Sequence, residues 1–270
     1  MSALGIRTII VATDLTDALI PALQASVRLA KLTDAHLHII HTTEARIPES
    51  RLTEHLAAAH VDTGPSIEAR IMVGPPGALL VQDAVRLNAD VIVLGPHQPG
   101  RSSLGSTAYR VVLGSQTPCL MLPAPLSLPL QRVLVPVDTS TSIKGLLQVA
   151  LTWANALRQR ERPTEFVALS VKSEVQSDST EAQSLMHEVE AICQPLHGCT
   201  GLDIRYQISN GVPADEILDT AERCATDLIV MGTRGENLQR DALGSVSREV
   251  VIRARRPVLL VPRDVWKPAE

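Results

Sequence analysis

The sequence predicts an α/β protein made of two tandem copies of one parallel-sheet domain. Short runs of Val, Ile and Leu alternate with amphipathic segments along the 270 residues, a pattern typical of parallel strands joined by crossover helices. Five blocks of the first half recur in the second half in the same order. Only 2% of the residues are aromatic, so the core must be aliphatic, as it is around fully buried parallel strands.

The internal repeat is clearest at the apolar strands and at the glycines that follow them. Residues 9–14, IIVATD, recur as residues 133–138, VLVPVD, at an offset of 124. The offset rises to 137 and then to 139 for the later blocks and never decreases, which indicates a duplication with two localised length changes. The later pairs are 74–76 with 211–213, 90–95 with 227–232, 104–106 with 243–245, and 118–123 with 257–262.

Each half is predicted to form five parallel strands with helices between them. In the first half, strands are expected near 7–13, 35–41, 67–73, 90–95 and 118–122, and helices near 17–32, 49–60, 76–88 and 105–116. In the second half, strands are expected near 132–137, 165–171, 203–208, 227–232 and 257–261, with a long amphipathic helix near 179–196. The proline-rich segment 123–129 acts as a semi-rigid connector between domains that we expect to span 1–127 and 128–270.

Charge and hydropathy exclude several classes of protein. The formal net charge of −4 gives no general attraction to nucleic acid or to an anionic membrane surface, and the few aromatic residues provide no platform for stacking single-stranded bases. Residues 111–130 carry no charge but contain four prolines, which exclude a membrane-spanning helix. The apolar run after Arg7 is too short for a signal-peptide core, so we expect a cytoplasmic protein with reduced cysteines.

The second half suggests an anion site at the end of one predicted strand. That strand leads into Gly232-Thr233-Arg234-Gly235, and a later helix begins at Gly244-Ser245-Val246-Ser247. Glycines let backbone N–H groups approach a phosphate, and a helix N-terminus adds unpaired donors with partial positive charge. Asp138 ends another strand, where a carboxylate can accept hydrogen bonds from ribose hydroxyls. Ordinary turns, an N-cap at Ser245 and a helix cap at Asp138 would use the same residues, so the spacing alone leaves both interpretations open.

Taken together, these motifs resemble the universal stress protein family. The resemblance rests on Asp138 after an apolar strand, on Gly211-x-Pro213, on residues 227–232, and on Gly244-Ser245 ahead of residues 257–262. It covers nearly the whole chain, twice. It implies a tandem protein similar to the two-domain E-type members, with two Rossmann-like domains of the adenine nucleotide alpha hydrolase type. Each domain would hold a five-stranded parallel sheet of strand order 3-2-1-4-5.

The resemblance also implies which residues bind an adenine nucleotide. The ATP-binding branch of the family carries the signature G-x2-G-x9-G followed by Ser or Thr, and the second half matches it with a spacer one residue shorter. The cofactor implied is therefore ATP, with or without Mg²⁺. The residues implied are Pro136 and Val171 beside the base, Asp138 at the ribose and adenine side, Met231 at the strand end, and Gly232, Arg234, Gly235, Gly244, Ser245, Val246 and Ser247 around the phosphates.

The first half departs further from this signature. Gly95 is followed by Pro96-His97-Gln98-Pro99, so Gln98 stands where the second glycine belongs. The two prolines remove backbone N–H donors from a loop that would have to supply them. Gly105-Ser106 and Asp14 persist as counterparts of Gly244-Ser245 and Asp138. We therefore predict that any nucleotide site is confined to the second half.

The sequence contains no recognisable catalytic or metal site. It has no P-loop lysine motif and no nucleophile paired with a base, and His36 and His38 share one strand face without an evident third ligand. We expect a non-catalytic stress-response protein that binds ATP and signals to an unidentified protein partner through nucleotide-dependent contacts.

Two alternatives to this function stay open. One is a protein–protein interaction module of the same fold that needs no nucleotide, and the other is a slow ATP hydrolase or nucleotidyl transferase. The resemblance further implies that the two halves dock through their last strands as an intramolecular pseudo-dimer, with homodimerisation as a further option.

Overall fold

A computed structural model describes most of the chain and divides it into two compact units, Met1–Leu126 and Ser127–Glu270. The described residues are 5–95, 104–138, 143–159, 161–172, 201–233 and 242–263, with isolated positions 184, 187, 188 and 191. In each unit, helices connect the strands of a parallel sheet, which is the architecture that the alternating pattern predicts.

The first unit has the predicted parallel sheet with strand order β3-β2-β1-β4-β5. A short 3-10 turn, Asp17–Leu19, precedes α1. The elements are β1 (Thr8–Thr13), α1 (Ile20–Thr33), β2 (His36–Thr43), α2 (Ser50–Ala58), β3 (Ile67–Val73), α3 (Pro76–Arg86), β4 (Val91–Leu94), α4 (Ser106–Gly114) and β5 (Cys119–Met121).

The second unit repeats this arrangement, with strand order β8-β7-β6-β9-β10 and every pair parallel. The predicted helix near 179–196 falls almost entirely outside the described residues. The elements are β6 (Arg132–Val137), α5 (Ile143–Leu157), β7 (Thr164–Lys172), β8 (Leu202–Asn210), α6 (Pro213–Arg223), β9 (Leu228–Gly232), α7 (Ser245–Arg253) and β10 (Val258–Val261).

The strands at the middle of each sheet are aliphatic and buried. Ile9, Ile10 and Val11 of β1 are fully buried, and the same holds for Ile229 and Val230 of β9. A strand with neighbours on both edges and helices over both faces buries side chains of either parity, which explains the continuous apolar runs in the sequence.

In each unit, an aspartate at equivalent positions of the repeat accepts hydrogen bonds from backbone N–H groups at the start of the central strand. The Asp90 carboxylate accepts hydrogen bonds from the backbone N–H groups of Arg7 and Thr8, at 2.7 and 2.9 Å. Asp227 does the same for Gln131 and Arg132, at 2.8 and 2.9 Å. Each carboxylate therefore satisfies two backbone donors that lie just before or at the start of a strand, and this accounts for the aspartate that opens the 90–95 and 227–232 blocks.

Two cysteines of the described chain, Cys119 and Cys224, are free thiols in different environments. Cys119 lies in β5, where burial raises the pKa of its thiol to about 12, so the reactive thiolate is essentially absent at neutral pH. Cys224 follows α6 and is partly exposed.

We predict that a thiol reagent will modify Cys224 in the native protein and leave Cys119 unmodified until the protein is denatured. Peptide mapping by mass spectrometry after timed exposure to the reagent measures both sites in one sample. The Cys224→Ser variant serves as the control and should show no early modification at either position. Equal rates at Cys119 and Cys224 in the native chain would contradict the prediction.

Candidate functional site

The second unit contains a cavity of about 360 Å³ at the carboxyl ends of its central strands. Residues from the ends of β6, β7, β9 and β10 contribute to its lining, together with residues from α5, α6 and the first turn of α7. Its volume falls in the range of small-molecule sites, and its position at the carboxyl edge of a parallel sheet is where open α/β folds bind ligands.

The structure brings together nine of the eleven residues predicted from the sequence. The other two, Arg234 and Gly235, lie outside the described residues. The nine that line the cavity are Pro136, Asp138, Val171, Met231, Gly232, Gly244, Ser245, Val246 and Ser247.

The walls of the cavity are apolar at the end formed by β6 and β7. Pro136 of β6 and Leu169 of β7 are partners in the strand register, and both line the cavity with Val171. Ile217 of α6 contributes a further aliphatic side chain. This end can accept a flat, weakly polar group such as a nucleobase between aliphatic surfaces.

The opposite end of the cavity is formed by the uncapped N-terminus of α7. The N-cap is Gly244, with φ −55° and ψ 143°, and no side chain caps the helix. The first bond of the helix runs from the Arg248 N–H to the Gly244 carbonyl, at 2.8 Å. The N–H groups of Ser245, Val246 and Ser247 precede that bond, and all three residues line the cavity. Such donors, together with the helix dipole, favour an anion.

Three hydrogen bonds hold this helix start against the ends of β9 and β10. The Gly244 N–H donates to the Thr233 carbonyl at 2.9 Å, and the Thr233 N–H donates to the Val261 carbonyl at 3.0 Å. The Ser247 hydroxyl donates to the Gly232 carbonyl at 2.8 Å. The residues at the two ends of the segment between Gly232 and Gly244 are therefore hydrogen-bonded to each other and to the end of β10.

The Ser247 bond also changes how that residue can contribute to a ligand. Resemblance implies a phosphate-side position, and the structure does place Ser247 in the lining. Its hydroxyl hydrogen is engaged with the Gly232 carbonyl, so the backbone N–H is the donor that Ser247 presents. The side chain of Ser245, in contrast, is exposed at the first position of α7.

Asp138 is the acidic residue of the described cavity lining. It follows β6 directly, its side chain is exposed, and it lines the cavity beside Pro136 and Val137. A carboxylate at this strand end can accept two hydrogen bonds from neighbouring hydroxyls of a sugar.

Several lining residues were not identified from the sequence. Ile143, Leu146 and Ile217 occupy apolar faces of α5 and α6, which a sequence pattern cannot distinguish from faces packed into a core. Arg263, the cation of the described lining, follows the last repeat block directly. The signal that could have found it is its position one residue beyond the repeated proline, Pro262, where the first half has Ala124.

In the first unit, Leu19 and Thr16 contact the equivalent strand ends. The side chain of Leu19 lies against Gly95, such that a Cβ on Gly95 would be 2.2 Å from Leu19 Cδ1. One oxygen of the Asp14 carboxylate accepts hydrogen bonds from the Thr16 N–H at 2.9 Å and the Thr16 hydroxyl at 2.6 Å. Residues 96–103, which include Gln98 and both prolines, lie outside the described chain.

The histidines of β2 lie in separate environments. His38 is buried, its Nδ1 lies 3.3 Å from Glu68 Oε2, and burial lowers its pKa. His41 Nδ1 lies 2.8 Å from the Thr13 carbonyl. Among the described residues, no three His, Cys, Asp or Glu side chains are grouped as metal ligands. Within the same residues, no helix has the length and apolar character needed to cross a bilayer.

The fold and cavity define a tandem α/β protein with two Rossmann-like domains. The family model described as "Universal stress protein family" matches residues 5–123 and again residues 129–262. The chain therefore belongs to the universal stress protein family.

Curated relatives and solved structures agree with this assignment. Universal stress proteins MJ0531 and MJ0577 of Methanocaldococcus jannaschii are 47% and 39% identical over 64 residues, which is 23% of this chain. The matched regions span 38% and 40% of those relatives, so about two fifths of their length is covered.

Two solved structures share the fold over nearly the whole chain. A universal stress protein from Archaeoglobus fulgidus DSM 4304 has a TM-score of 0.69 and 19% identity, with 96% of this chain and 98% of that chain covered. Protein PA1789 from Pseudomonas aeruginosa PAO1 has a TM-score of 0.67 and 16% identity, with 98% and 95% covered. At these identities the likeness concerns the fold.

Proposed function

We propose that this universal stress protein binds ATP in the cavity of its second unit and acts as a non-catalytic regulator. The observation that carries the proposal is the combination, around one cavity, of an apolar end, an edge carboxylate and an uncapped helix N-terminus. These three features match a nucleobase, a ribose and a phosphate chain in that order across the sheet edge. A protein that binds ATP without consuming it can act as a regulator, because its bound and free forms can differ in their contacts with a partner.

The chemistry of the described lining supports binding rather than catalysis. Its polar side chains are the carboxylate of Asp138, the guanidinium of Arg263 and the hydroxyls of Ser245 and Ser247. The Ser247 hydroxyl donates to a backbone carbonyl, and the described lining contains no histidine, cysteine or lysine. A nucleophile activated by a neighbouring base is therefore missing from this set of residues. Phosphate oxygens would hold an accompanying Mg²⁺, which supplies charge neutralisation when it is bound.

The site is proposed for the second unit alone. In the first unit, the Leu19 side chain fills the space beside Gly95 that a phosphate would need. Gln98 also stands at the second glycine position of the signature, where a close approach of the backbone to a phosphate favours glycine.

The stoichiometry of ATP binding tests the proposal, and the repeat supplies a matched control. Equilibrium dialysis of the full chain with radiolabelled ATP and Mg²⁺ should give one site per chain. The Asp138→Asn variant should bind about tenfold or more weakly, because it loses a charged acceptor for the ribose hydroxyls. The Asp14→Asn variant, at the equivalent position of the first unit, should bind as tightly as the parent.

Four outcomes would contradict the proposal. Two sites per chain, or equal losses in Asp14→Asn and Asp138→Asn, would remove the restriction to the second unit. An absence of binding at millimolar ATP would favour the nucleotide-independent interaction module. Phosphate release that is lost in Asp138→Asn would instead identify a slow hydrolase.

A further inference from the structure

The ends of four adjacent strands form an ordered row along the cavity of the second unit. The strand order is β7, β6, β9, β10, and the cavity residues at these ends are Val171, Asp138, Gly232 and Arg263 in that order. Neighbouring strands are spaced about 4.7–4.9 Å apart, so the row extends over roughly 14 Å. An extended ligand that lies along this edge therefore contacts an apolar side chain first, then a carboxylate, then a glycine and finally a cation.

Arg263 occupies the end of this row that is farthest from the apolar wall. It lies two residues after Val261, and Val261 is the register partner of Gly232. Its side chain is exposed and lines the cavity, which places a cation at the β10 end of the row. The negative charge of Asp138 lies on the strand two positions away in the row.

We propose that Arg263 makes the site selective for nucleotides with a long phosphate chain, so that triphosphates bind more tightly than monophosphates. This inference rests on the function proposed above and deepens it. The helix N-terminus of α7 meets the first phosphate groups of a ligand whose base lies at the β7 end. Only a ligand that extends past Gly232 reaches the Arg263 guanidinium, which is always charged and pairs well with phosphate oxygens.

The first unit provides an internal contrast for this assignment. The repeat aligns Pro123 with Pro262, so the first-unit counterpart of Arg263 is Ala124. The cation is thus absent from the copy in which Gln98 replaces the second glycine of the signature, and present in the copy that retains Gly235.

Binding of ATP, ADP and AMP to the full chain tests the proposal through a ratio of affinities. The parent protein should bind ATP more tightly than AMP. In Arg263→Gln, ATP affinity should fall about tenfold while AMP affinity changes by less than twofold. Arg263→Lys should keep part of the preference, since it retains the charge but not the planar pair of donors.

A second arginine of the same unit serves as the matched control. Arg256 lies after α7, contacts Glu222 at 3.2 Å and does not belong to the described lining. Arg256→Gln should leave all three affinities unchanged. This comparison separates a local contact with the distal phosphate from a general loss of positive charge.

The possible failures are distinguishable from one another. If the parent binds ATP and AMP equally, or if Arg263→Gln weakens all three nucleotides to the same extent, the selectivity role is overturned while the nucleotide site stands. If the parent binds none of the three, the proposed function fails and the role of Arg263 fails with it. Binding of inorganic tripolyphosphate as tightly as ATP would overturn the ordering of base and phosphate along the row.

Discussion

Replacing Ser245 with aspartate should weaken ATP binding about a hundredfold without weakening the fold. Ser245 is the first residue of α7, its side chain is exposed, and the N-terminus that it begins has no side-chain cap. A carboxylate at this position would occupy the anion site itself and repel the phosphates of ATP. Loss of the charge-assisted contacts to one phosphate group corresponds to about a hundredfold in affinity.

The same substitution should have the opposite effect on stability. An acidic residue in the first turn of a helix interacts favourably with the dipole, by about 0.3–1 kcal/mol at an exposed site. We therefore expect the melting temperature of Ser245→Asp to be equal to or slightly above that of the parent in the absence of ATP. A variant that loses binding through misfolding would instead show a lower melting temperature.

The first unit again offers the control. Ser106 is the first residue of α4, which has a glycine N-cap, Gly105, with φ −56° and ψ 149° and no side-chain cap. Ser106→Asp should bind ATP as the parent does and show the same small gain in stability. Isothermal titration calorimetry measures the ATP affinity of both variants, and thermal unfolding measures the melting temperature of each. Retained ATP binding in Ser245→Asp, or its loss in Ser106→Asp, would be incompatible with a phosphate at α7.

The repeat explains why the sheets and the site position could be predicted from sequence. A buried parallel strand is a short apolar run that ends where the sheet ends, so the blocks at 9–14, 90–95, 133–138 and 227–232 mark both the strands and their carboxyl edges. Because ligands of such sheets bind at that edge, the residues that end two of the blocks in the second half, Asp138 and Gly232, are expected at the same edge of the sheet. The structure confirms the strand order in the first unit.

Features that depend on tertiary partners were not predictable in the same way. Helix α1 begins at Ile20, three residues after the predicted start, because a 3-10 turn occupies Asp17–Leu19. The hydroxyl of Ser247 could equally have faced a ligand, and only the proximity of the Gly232 carbonyl decides its hydrogen bond. An aspartate on an amphipathic helix is ordinarily assigned to the solvent face, yet Asp83 of α3 is 4% exposed.

Removing the Asp83 carboxylate should markedly destabilise the first unit. The buried carboxylate is shared by two arginines: Arg70 of β3 contacts it through Nη2, and Arg86 Nε lies 2.7 Å from Oδ1. Burial alone would raise the Asp83 pKa, but the hydrogen bonds from Arg86 and Arg70 outweigh it and the pKa is lowered. Asp83→Ala leaves the part-buried Arg70 without this partner, at a cost of about 2–3 kcal/mol.

The effect of Asp83→Ala should depend on pH in a defined direction. A carboxylate with a lowered pKa binds fewer protons in the folded chain than in the unfolded chain, so the stability that it contributes is complete above its ordinary pKa of 3.8. That contribution is lost as the pH falls through the lower value of the folded state. The contribution of the Asp83 carboxylate itself to the difference between parent and Asp83→Ala should thus be constant from pH 7 to pH 5 and shrink below about pH 3.8. Burial lowers the pKa of the nearby His38 and the Asp83 charge raises it, so removing Asp83 should further enlarge the difference as the pH falls below the ordinary His value of 6.5.

Hydrogen exchange monitored by mass spectrometry can assign this loss to the first unit. Both tryptophans, Trp153 and Trp266, belong to the second unit, so tryptophan fluorescence would not report it. Peptides from β3 and α3 should exchange faster in Asp83→Ala, while peptides from β6 and β9 should not change. Glu249→Ala removes an exposed ion pair with Arg253, 2.7 Å long, and should change the stability far less, because exposed ion pairs are screened by water. If Asp83→Ala proved no more destabilising than Glu249→Ala, the prediction would be wrong. In that case water would replace the carboxylate as the partner of the two arginines, and the buried ion pairs would add nothing to the free energy of unfolding.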